Sequence, residues 1–363
     1  MKTEIMLDSG AYSAWMKQET LNIQAYAEFA LRDLDCFDYI VNLDVIPGES
    51  GVKGTNIGEV AIESASKEGY KNYETLLKAG IPSDKLIHVF HQEEDFAWLD
   101  RMVNDMDYIG LSPANDRSTH EKERWLDLCM EHVTNGEGLP VVKFHGFGVT
   151  SIPIVYRYPW YSVDSGSWMQ FSKYGAVLVP RMKNGSYNFK RTPEVVFLSG
   201  RSPQKQFEGK HLDTLSDIEQ ERIIEYFEYQ GLPYGESEWD DEGKEIVIRP
   251  GLSNDHKIRD QLNLIFYAEV EQAKIDHPWE FIPVGKGSLF APTAKRSTLP
   301  PLLDKIFKVI FAGNFPQMKD PVIERGMRDY VISKFPVYRR LISAYFGDDG
   351  QSVIDMRREE NAL

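Results

Sequence analysis

Short apolar runs rich in β-branched residues recur along the first 180 residues, and most of them end in a polar side chain. The runs are Glu4–Asp8, Asp38–Asp44, Leu86–Gln92, Tyr108–Ser112, Leu139–His145, Trp160–Asp164 and Ala176–Pro180. Their cores, such as IHVF and VLV, are almost continuously apolar, which is typical of parallel strands that are covered on both faces. The pattern therefore predicts seven strands of one parallel sheet.

Segments with helical character separate these runs. The predicted helices are Ile23–Leu34, Asn56–Ala79, Asp95–Asn104, Lys122–Thr134 and Val149–Tyr156. Strands that alternate with helices over short links indicate an α/β fold with a parallel sheet. Seven strands before residue 180 favour a (β/α)8-type (TIM-like) barrel over an open sheet.

The pattern changes after Arg181, where Asn184-Gly185 predicts a hairpin turn. The segments predicted beyond it are the helix Ile218–Gln230, the acidic loop Gly235–Lys244, the strand Glu245–Arg249, and the helices Asp255–Gln272, Leu302–Phe311 and Pro321–Tyr345. We therefore expect a barrel core over residues 1–200. Residues 201–363 are expected to form a mainly helical α+β extension that could contact nucleic acid and complete the barrel.

Composition narrows the class of protein. The chain has 363 residues, of which 42% are hydrophobic, and this content suits a sizeable core. No apolar run is long enough for a membrane span and no signal peptide is recognisable, so we expect a cytoplasmic protein. The two cysteines, Cys36 and Cys129, form no CxxC motif, which argues against a disulfide framework and a Cys-ligated zinc site.

The net charge of −15 argues against a non-specific nucleic-acid binder, because Lys and Arg supply most of that affinity. Two stretches are nevertheless basic. They contain Arg181, Lys183, Lys190, Arg191, Arg201, Lys205 and Lys210 in one case, and Lys319, Arg325, Arg328, Lys334, Arg339 and Arg340 in the other. Each stretch is either ordinary solvated surface or a local phosphate-contacting patch.

Polar residues at the ends of the predicted strands carry the candidate chemistry, since the carboxyl ends of barrel strands build the active site. These ends read Asp8-Ser9-Gly10, Asp44, His91-Gln92, Ser112-Pro113, His145-Gly146-Phe147-Gly148 and Asp164-Ser165-Gly166. Any one aspartate could be the N-cap of the next helix. Three of them at strand ends indicate instead an acidic rim. Two carboxylates that face one sugar carbon can perform double-displacement glycosyl transfer.

These motifs resemble a known family. LDSGAYSAW (Leu7–Trp15), NLDVIPG (Asn42–Gly48), HVFHQ (His88–Gln92), DYIGLSPA (Asp107–Ala114), KFHGFG (Lys143–Gly148) and YSVDSGSW (Tyr161–Trp168) occur in the order seen in tRNA-guanine transglycosylases. The sequences of these motifs are most similar to those of the phage-type 7-deazaguanine DNA transglycosylases, and the resemblance covers roughly half of the chain. Those enzymes exchange guanine in DNA for a free 7-deazaguanine base, such as 7-cyano-7-deazaguanine.

The resemblance implies a role for each matching residue. Asp164 would be the nucleophile that attacks C1′ of the sugar, and Asp8 would take up and return the proton of the base. Asp44 and Gln92 would recognise the purine edge, helped by the backbone around Gly110. No cofactor, metal or membrane is implied; the partners would be guanine-containing DNA and the free base, in the cytoplasm of a host cell if a phage encodes the chain.

Further positions follow from the same motifs. Gly146 and Gly148 would flank the base pocket. Tyr12 would stack on the base or serve as a core aromatic, and His145 would touch ribose or base or be a satisfied structural histidine. The hairpin would hold phosphates close to the nucleophile through Arg181, Lys183, Lys190 and Arg191.

Two departures from the tRNA enzymes favour DNA as the substrate and weaken the match. Those enzymes carry a Cys-x-Cys-x-x-Cys zinc site with a histidine, whereas both cysteines here fall inside the predicted barrel. The stretch from Asp164 to Arg181 is also longer than the nucleophile loop of the tRNA enzymes, so the phosphate-binding arginines are poorly assigned. The alternatives are a tRNA-guanine transglycosylase, a glycoside or nucleoside hydrolase, and a non-catalytic nucleic-acid-binding subunit.

Overall fold

The computed structural model describes residues 4–48, 57–202, 204 and 208–283, together with the backbone of Lys308–Phe311. The predicted helix Pro321–Tyr345 and the second basic stretch lie outside the described residues. The chain divides into two compact units. Unit 1 holds the described residues up to Val149, residues 158–164 and those from Asp276 onward, and unit 2 holds residues 150–157 and 165–275.

Unit 1 is built on a parallel sheet whose strands follow one another in sequence order. They are β1 (Glu4–Leu7), β2 (Tyr39–Val41), β3 (Leu86–His91), β4 (Tyr108–Ser112), β5 (Lys143–Gly146) and β6 (Ser162–Val163). The helices of unit 1 are α1 (Ala11–Lys17), α2 (Ile23–Arg32), α3 (Glu59–Ala79), α4 (Phe96–Asp105) and α5 (Thr119–Val133). The mixed α/β architecture is confirmed, and its parallel sheet is curled in the manner of part of a barrel.

The apolar runs form strands because both faces of the sheet are covered. Every residue of β3 is buried, as are four of the five residues of β4. On one face, a buried cluster joins β1 to β4 through Met6, Val41, Ile87, Val89 and Tyr108. Four neighbouring strands thus share one core, which accounts for the unbroken apolar pattern of the sequence.

Local signals set the ends of the helices. Ser118 caps α5 in a capping box with Glu121, and Asn22 accepts the amides of Gln24 and Ala25 at the start of α2. The strand predicted over Leu139–His145 begins only at Lys143, because Pro140 and Val141 pair instead with the end of α5, through a bridge from Pro140 to Thr134 and a bond from the Val141 amide to the Val133 carbonyl.

Unit 2 contains the seventh predicted strand, and here the prediction of a barrel strand was wrong. Strand β7 (Ala176–Val179) pairs antiparallel with β10 (Glu194–Phe197) and not with the parallel sheet. All four residues of β7 are buried. A strand that is covered on both faces has the same sequence pattern whichever sheet it joins, so the pattern could not distinguish the two sheets.

The other elements of unit 2 lie around this pair. They are α6 (Ile152–Arg157), α7 (Ser167–Lys173), β8 (Arg181–Lys183), β9 (Ser186–Asn188), α8 (Asp217–Gln230), β11 (Glu236–Trp239), β12 (Glu245–Arg249) and α9 (His256–Ala273). The predicted hairpin at Asn184-Gly185 is confirmed, with φ of 52° and 75° at its two turn residues. The predicted acidic loop Gly235–Lys244 is instead partly strand, because β11 pairs with β12.

The prediction of a helix over Leu302–Phe311 was wrong for its last four residues. Lys308–Phe311 is a strand that pairs parallel with β1, as its sequence KVIF permits.

Among the described residues, no helix combines the length and the apolar character needed to cross a membrane.

Asn263 supports unit 2 through its side chain. Its Oδ1 accepts the amide of Leu178 at 2.8 Å, and its Nδ2 donates to the carbonyl of Trp168 at 3.0 Å. The side chain is fully buried. We expect Asn263→Ala to lower the free energy of unfolding by about 3 kcal/mol, because β7 loses the partner of a buried amide. Urea denaturation measures this loss.

The matched control is Glu228→Ala on the exposed face of α8, which should change stability by less than about 0.5 kcal/mol. Equal stability of Asn263→Ala and Glu228→Ala would show that the β7 amide does not depend on Asn263.

Candidate active site

Three aspartates follow strands of unit 1 and act on one another electrostatically. Asp8 comes directly after β1, Asp44 three residues after β2, and Asp164 directly after β6. The negative charges of Asp164 and Asp44 both raise the pKa of Asp8. In a flat sheet, strands β1 and β6 would be about 24 Å apart, at about 4.8 Å per strand spacing. The interaction of Asp8 with Asp164 therefore depends on the curl of the sheet.

The pKa of Asp8 is far above that of an ordinary aspartate. Burial raises its pKa most, the charges of Asp164 and Asp44 add to this, and the pKa reaches about 7. Hydrogen bonds from the backbone amides of Gly10 and Ser9 oppose the shift but do not cancel it. A carboxyl group with this pKa can both give and accept a proton near neutral pH, as a general acid and base must.

Asp164 is held by one carboxylate oxygen. Its Oδ1 accepts the backbone amide of Gly148 at 2.9 Å and lies 3.3 Å from His145 Nε2. Its side chain is 28% exposed, and no described residue bonds to its Oδ2. Both contacts come from donors, which suit an ionised carboxylate. Asp164 thus has a fixed orientation and one free oxygen.

A chain of hydrogen bonds continues behind His145. Its Nδ1 lies 2.5 Å from Ser162 Oγ, which lies 2.5 Å from the hydroxyl of Tyr108. Burial raises the pKa of Tyr108 well above its usual value, so this residue keeps its proton. A neutral imidazole with its hydrogen on Nε2 satisfies all partners, with Tyr108 donating to Ser162, Ser162 to His145 and His145 to Asp164.

Asp44 belongs to a second network. Its Oδ2 lies 2.8 Å from His91 Nε2, and its Oδ1 is 3.5 Å from Ser9 Oγ. Burial by itself lowers the pKa of His91, but the hydrogen bond and charge of Asp44 and the charge of Glu94 raise it overall. Glu94 in turn accepts the His91 amide at 2.9 Å and the Ser66 hydroxyl at 2.8 Å. Asp44 is therefore paired with His91, which Glu94 holds in turn.

Gln92 lies beside this network with its amide oriented. Its Oε1 accepts the backbone amide of Ala114 at 3.0 Å, and its Nε2 has no partner among the described residues. Gly110 is buried, and a Cβ atom there would lie 2.4 Å from the ring of Phe147. Because Phe147 covers Gly110, this placement does not favour the direct contact with a base that the sequence suggested.

The two predicted pocket glycines differ in their surroundings. Gly146 is buried against Trp160, whose ring would be 3.0 Å from a Cβ at this position. Gly148 is exposed and has a φ of 66°, a conformation that favours glycine, and its amide binds Asp164. Gly148 therefore orients the predicted nucleophile, while Gly146 allows close packing below it.

Tyr12 is 44% exposed, and its ring stacks on Trp15 with centroids 6.2 Å apart. The core-aromatic alternative for Tyr12 is thus disfavoured. The predicted phosphate-binding residues belong to unit 2, where all four are exposed: Arg181, Lys183, Lys190 and Arg191. Arg181 also donates to the Thr192 carbonyl and lies 3.5 Å from a carboxylate oxygen of Glu194.

Sequence reasoning did not assign the residues behind the aspartates. These are Ser66, Glu94, Tyr108, Ser162 and Tyr26, whose pKa is raised by burial and by the charges of Asp8 and Asp44. Ser162 could have been found, because residues two apart on a strand share a face and Ser162 precedes Asp164 by two positions. Tyr26 lies on α2 and carried no such signal.

No family model and no curated protein matches the chain. Among solved structures, dihydrodipicolinate synthase from Agrobacterium tumefaciens is similar over 47% of this chain and 62% of that chain, with 14% identity and a TM-score of 0.31. The chain thus spans less than two thirds of the length of that enzyme. A likeness this distant carries no argument about the site.

The raised pKa of Asp8 makes stability depend on pH. Between pH 3.8 and about 7 the folded state binds this proton more tightly than the unfolded state, so stability through Asp8 falls as pH rises. We expect Asp8→Asn to raise the free energy of unfolding at pH 8 by about 1 to 2 kcal/mol. The gain should vanish below pH 4, where Asp8 is neutral in both states.

Denaturation at several pH values tests this expectation, with Asp44→Asn as the control. That variant also removes one negative charge, but it deprives His91 of its ion-pair partner and should destabilise the fold. A loss of stability in Asp8→Asn at pH 8 would contradict the electrostatic account of Asp8.

Proposed function

We propose that the chain is a base-exchanging transglycosylase that replaces guanine in DNA with a 7-deazaguanine such as 7-cyano-7-deazaguanine. The observation that carries the proposal is the pairing of two unlike carboxyl groups. Asp164 has one fixed and one free oxygen, and Asp8, close enough to feel its charge, has a pKa of about 7. The motif resemblance adds the substrate class.

The reaction takes two balanced steps. In the first, Asp164 Oδ2 attacks C1′ of the deoxyribose, the bond from C1′ to guanine breaks, and protonated Asp8 gives its proton to the departing base. In the second, the incoming base gives up its ring N–H proton to the Asp8 carboxylate, its nitrogen bonds to C1′, and the ester to Asp164 breaks. Asp8 thus ends each cycle protonated, as it began.

Asp44 and Gln92 are suited to hold the base. His91 engages one oxygen of Asp44, and the other has only the long contact of 3.5 Å to Ser9, so it can accept N–H groups of a guanine edge. The free Nε2 of Gln92 can donate to a carbonyl of the same base. Tyr12 offers an exposed ring for stacking.

DNA is favoured over tRNA by the cysteines. Both Cys36 and Cys129 are buried outside any disulfide, and neither belongs to a zinc motif of the kind that the tRNA enzymes carry. The target base must leave the stack, which costs a few kcal/mol in a duplex, so single-stranded DNA is the appropriate first substrate.

We expect the wild-type protein to incorporate labelled 7-cyano-7-deazaguanine into a guanine-containing single-stranded oligonucleotide. Without the incoming base it should form a denaturation-resistant adduct with the oligonucleotide. Asp164→Asn should abolish both, because an amide is a poor nucleophile, and Asp8→Asn should slow exchange by about 10²- to 10⁴-fold. Incorporation is measured by retained label and the adduct by a gel shift under denaturing conditions.

Asp95→Asn is the matched control. The Asp95 side chain caps α4 by accepting the Ala97 amide and takes part in none of the hydrogen bonds described above, and asparagine caps equally well, so full activity is expected. Full exchange by Asp164→Asn, or no exchange by the wild type on DNA, would overturn the proposal. Release of guanine without incorporation would identify a hydrolase instead.

The pKa of Asp8 predicts a pH dependence for guanine release. Since the first step needs protonated Asp8, kcat/KM should fall about tenfold per pH unit above about 7. This alkaline limb should be absent from the residual activity of Asp8→Asn. If Asp8→Asn retains the limb, another group supplies the proton.

A further inference from the structure

A separate cavity of about 350 Å³ lies wholly within unit 2. Most of its charged lining side chains are basic. The residues that matter here are Lys173, Ser199, Arg201, Ser202, Glu245 and Arg259. None of them belongs to the motifs that carry the proposed transglycosylase activity.

Arg259 is the central feature of this cavity. It is 5% exposed and is fixed by two carbonyl groups: its Nε donates to Ser172 at 2.9 Å and its Nη1 to Leu252 at 2.7 Å. Its Nη2 has no partner among the described residues. Burial lowers the pKa of Arg259, and the charges of Asp255, Asp260 and Glu245 oppose this without forming an ion pair with it among the described residues.

A guanidinium that is this buried normally has an anionic partner, because an uncompensated buried charge is costly. The two carbonyl bonds fix the plane of the Arg259 fork without neutralising its charge. Arg259 lines the cavity, and the N–H groups of its Nη2 remain unused. Arg259 therefore keeps an unused pair of N–H donors and has no directly bonded anion among the described residues.

Two buried hydroxyl groups add further donors. Ser199 and Ser202 are 8% and 7% exposed, and their oxygens accept the amides of Arg201 and Gln204, respectively. Neither hydroxyl donates to an acceptor within the described part of the chain. Both protons thus remain available to a ligand.

The remaining charges favour an anion. Glu245 is the acidic residue of the lining, and it is paired with Arg201 at 2.8 Å. Lys173 contributes a second positive charge to the lining, and its charge acts on His256 at the start of α9. The cavity therefore offers two cationic side chains without an ion pair among the described residues, together with two hydroxyl donors.

We propose that this cavity is a binding site for a phosphate group. A guanidinium fork, an ammonium group and hydroxyl donors from separate segments match an oxyanion with several acceptor oxygens. The site is independent of the proposed exchange reaction, since it uses none of the residues around Asp8 and Asp164. The phosphate could come from a small molecule or from the chain of a nucleic acid.

Calorimetric titration of the full-length protein with inorganic phosphate, at constant ionic strength, tests the proposal. We expect saturable binding of one phosphate per chain. Ser202→Ala and Lys173→Glu should each weaken binding by about tenfold or more, because each removes a donor to a charged ligand. Arg259→Lys should also weaken it, and the first two variants keep the test valid if this one does not fold.

Lys78→Glu is the matched control, because it makes the same charge change at an exposed position of α3 in unit 1 and should leave phosphate binding unchanged. Asp164→Asn should also bind phosphate normally, which separates this test from that of the exchange reaction. The absence of saturable binding, or equal affinity in the wild type, Ser202→Ala and Lys173→Glu, would overturn the site.

Competition by oligonucleotides identifies the source of the phosphate. Displacement by both a 5′-phosphorylated oligonucleotide and its unphosphorylated twin supports the site with a backbone phosphate as ligand. Displacement by the phosphorylated one alone supports it with a terminal phosphate, and displacement by neither supports a small phosphorylated ligand.

Discussion

The candidate site depends on the burial of Asp8 beside two further carboxylates, Asp164 and Asp44, that follow strands of the same curled sheet and repel it. Asp8 and Asp164 end the first and sixth strands of the sequence-ordered sheet, and Asp44 follows the second. Like charges in a partly buried setting cannot all be ionised without cost. The protein meets this constraint by leaving the proton on Asp8, whose pKa is about 7.

The surroundings of the three carboxyl groups explain why the proton resides on Asp8. Asp164 receives two donors at one oxygen, from Gly148 and His145, and Asp44 is paired with His91, whose pKa is itself raised. Asp8 receives only backbone amides, which do not outweigh its burial. Unlike environments thus give the same residue type unlike properties, which is the condition that the proposed acid–base and nucleophilic chemistry requires.

The sequence predicted the features that recur along the chain and missed those that arise from packing. The order of β1 to β6 and the aspartates at their ends followed from apolar runs and their polar ends. The destination of β7 did not, since a doubly covered strand has one pattern in either sheet. The hairpin at Asn184-Gly185 was predictable because its two turn residues suit the positive φ angles of a tight turn. Strand β11, the partner of β12, was missed because its sequence belongs to an acidic stretch that resembles a loop.

The candidate site shows the same division. Asp8, Asp44, Gln92 and Asp164 could be named because strand ends converge in parallel α/β sheets. Their partners could not, because Glu94 is linked to Asp44 through His91, and Tyr108 to Asp164 through Ser162 and His145. Such indirect contacts have no fixed spacing in sequence. They are found only when packing is known.

The segment from β5 to β6 shows how packing and chemistry are linked. A side chain at Gly146 would press on the Trp160 ring, which would lie 3.0 Å from its Cβ, so glycine allows the close approach of these two residues. Two residues later, the positive φ of Gly148 accompanies an amide that donates to Asp164. Oδ1 of Asp164 is held by the Gly148 amide and by His145, which lies at the end of β5. The other oxygen of Asp164 is therefore oriented before any substrate binds. A nucleophile oriented in advance loses little conformational entropy at the moment of reaction, which is where such positioning lowers a barrier.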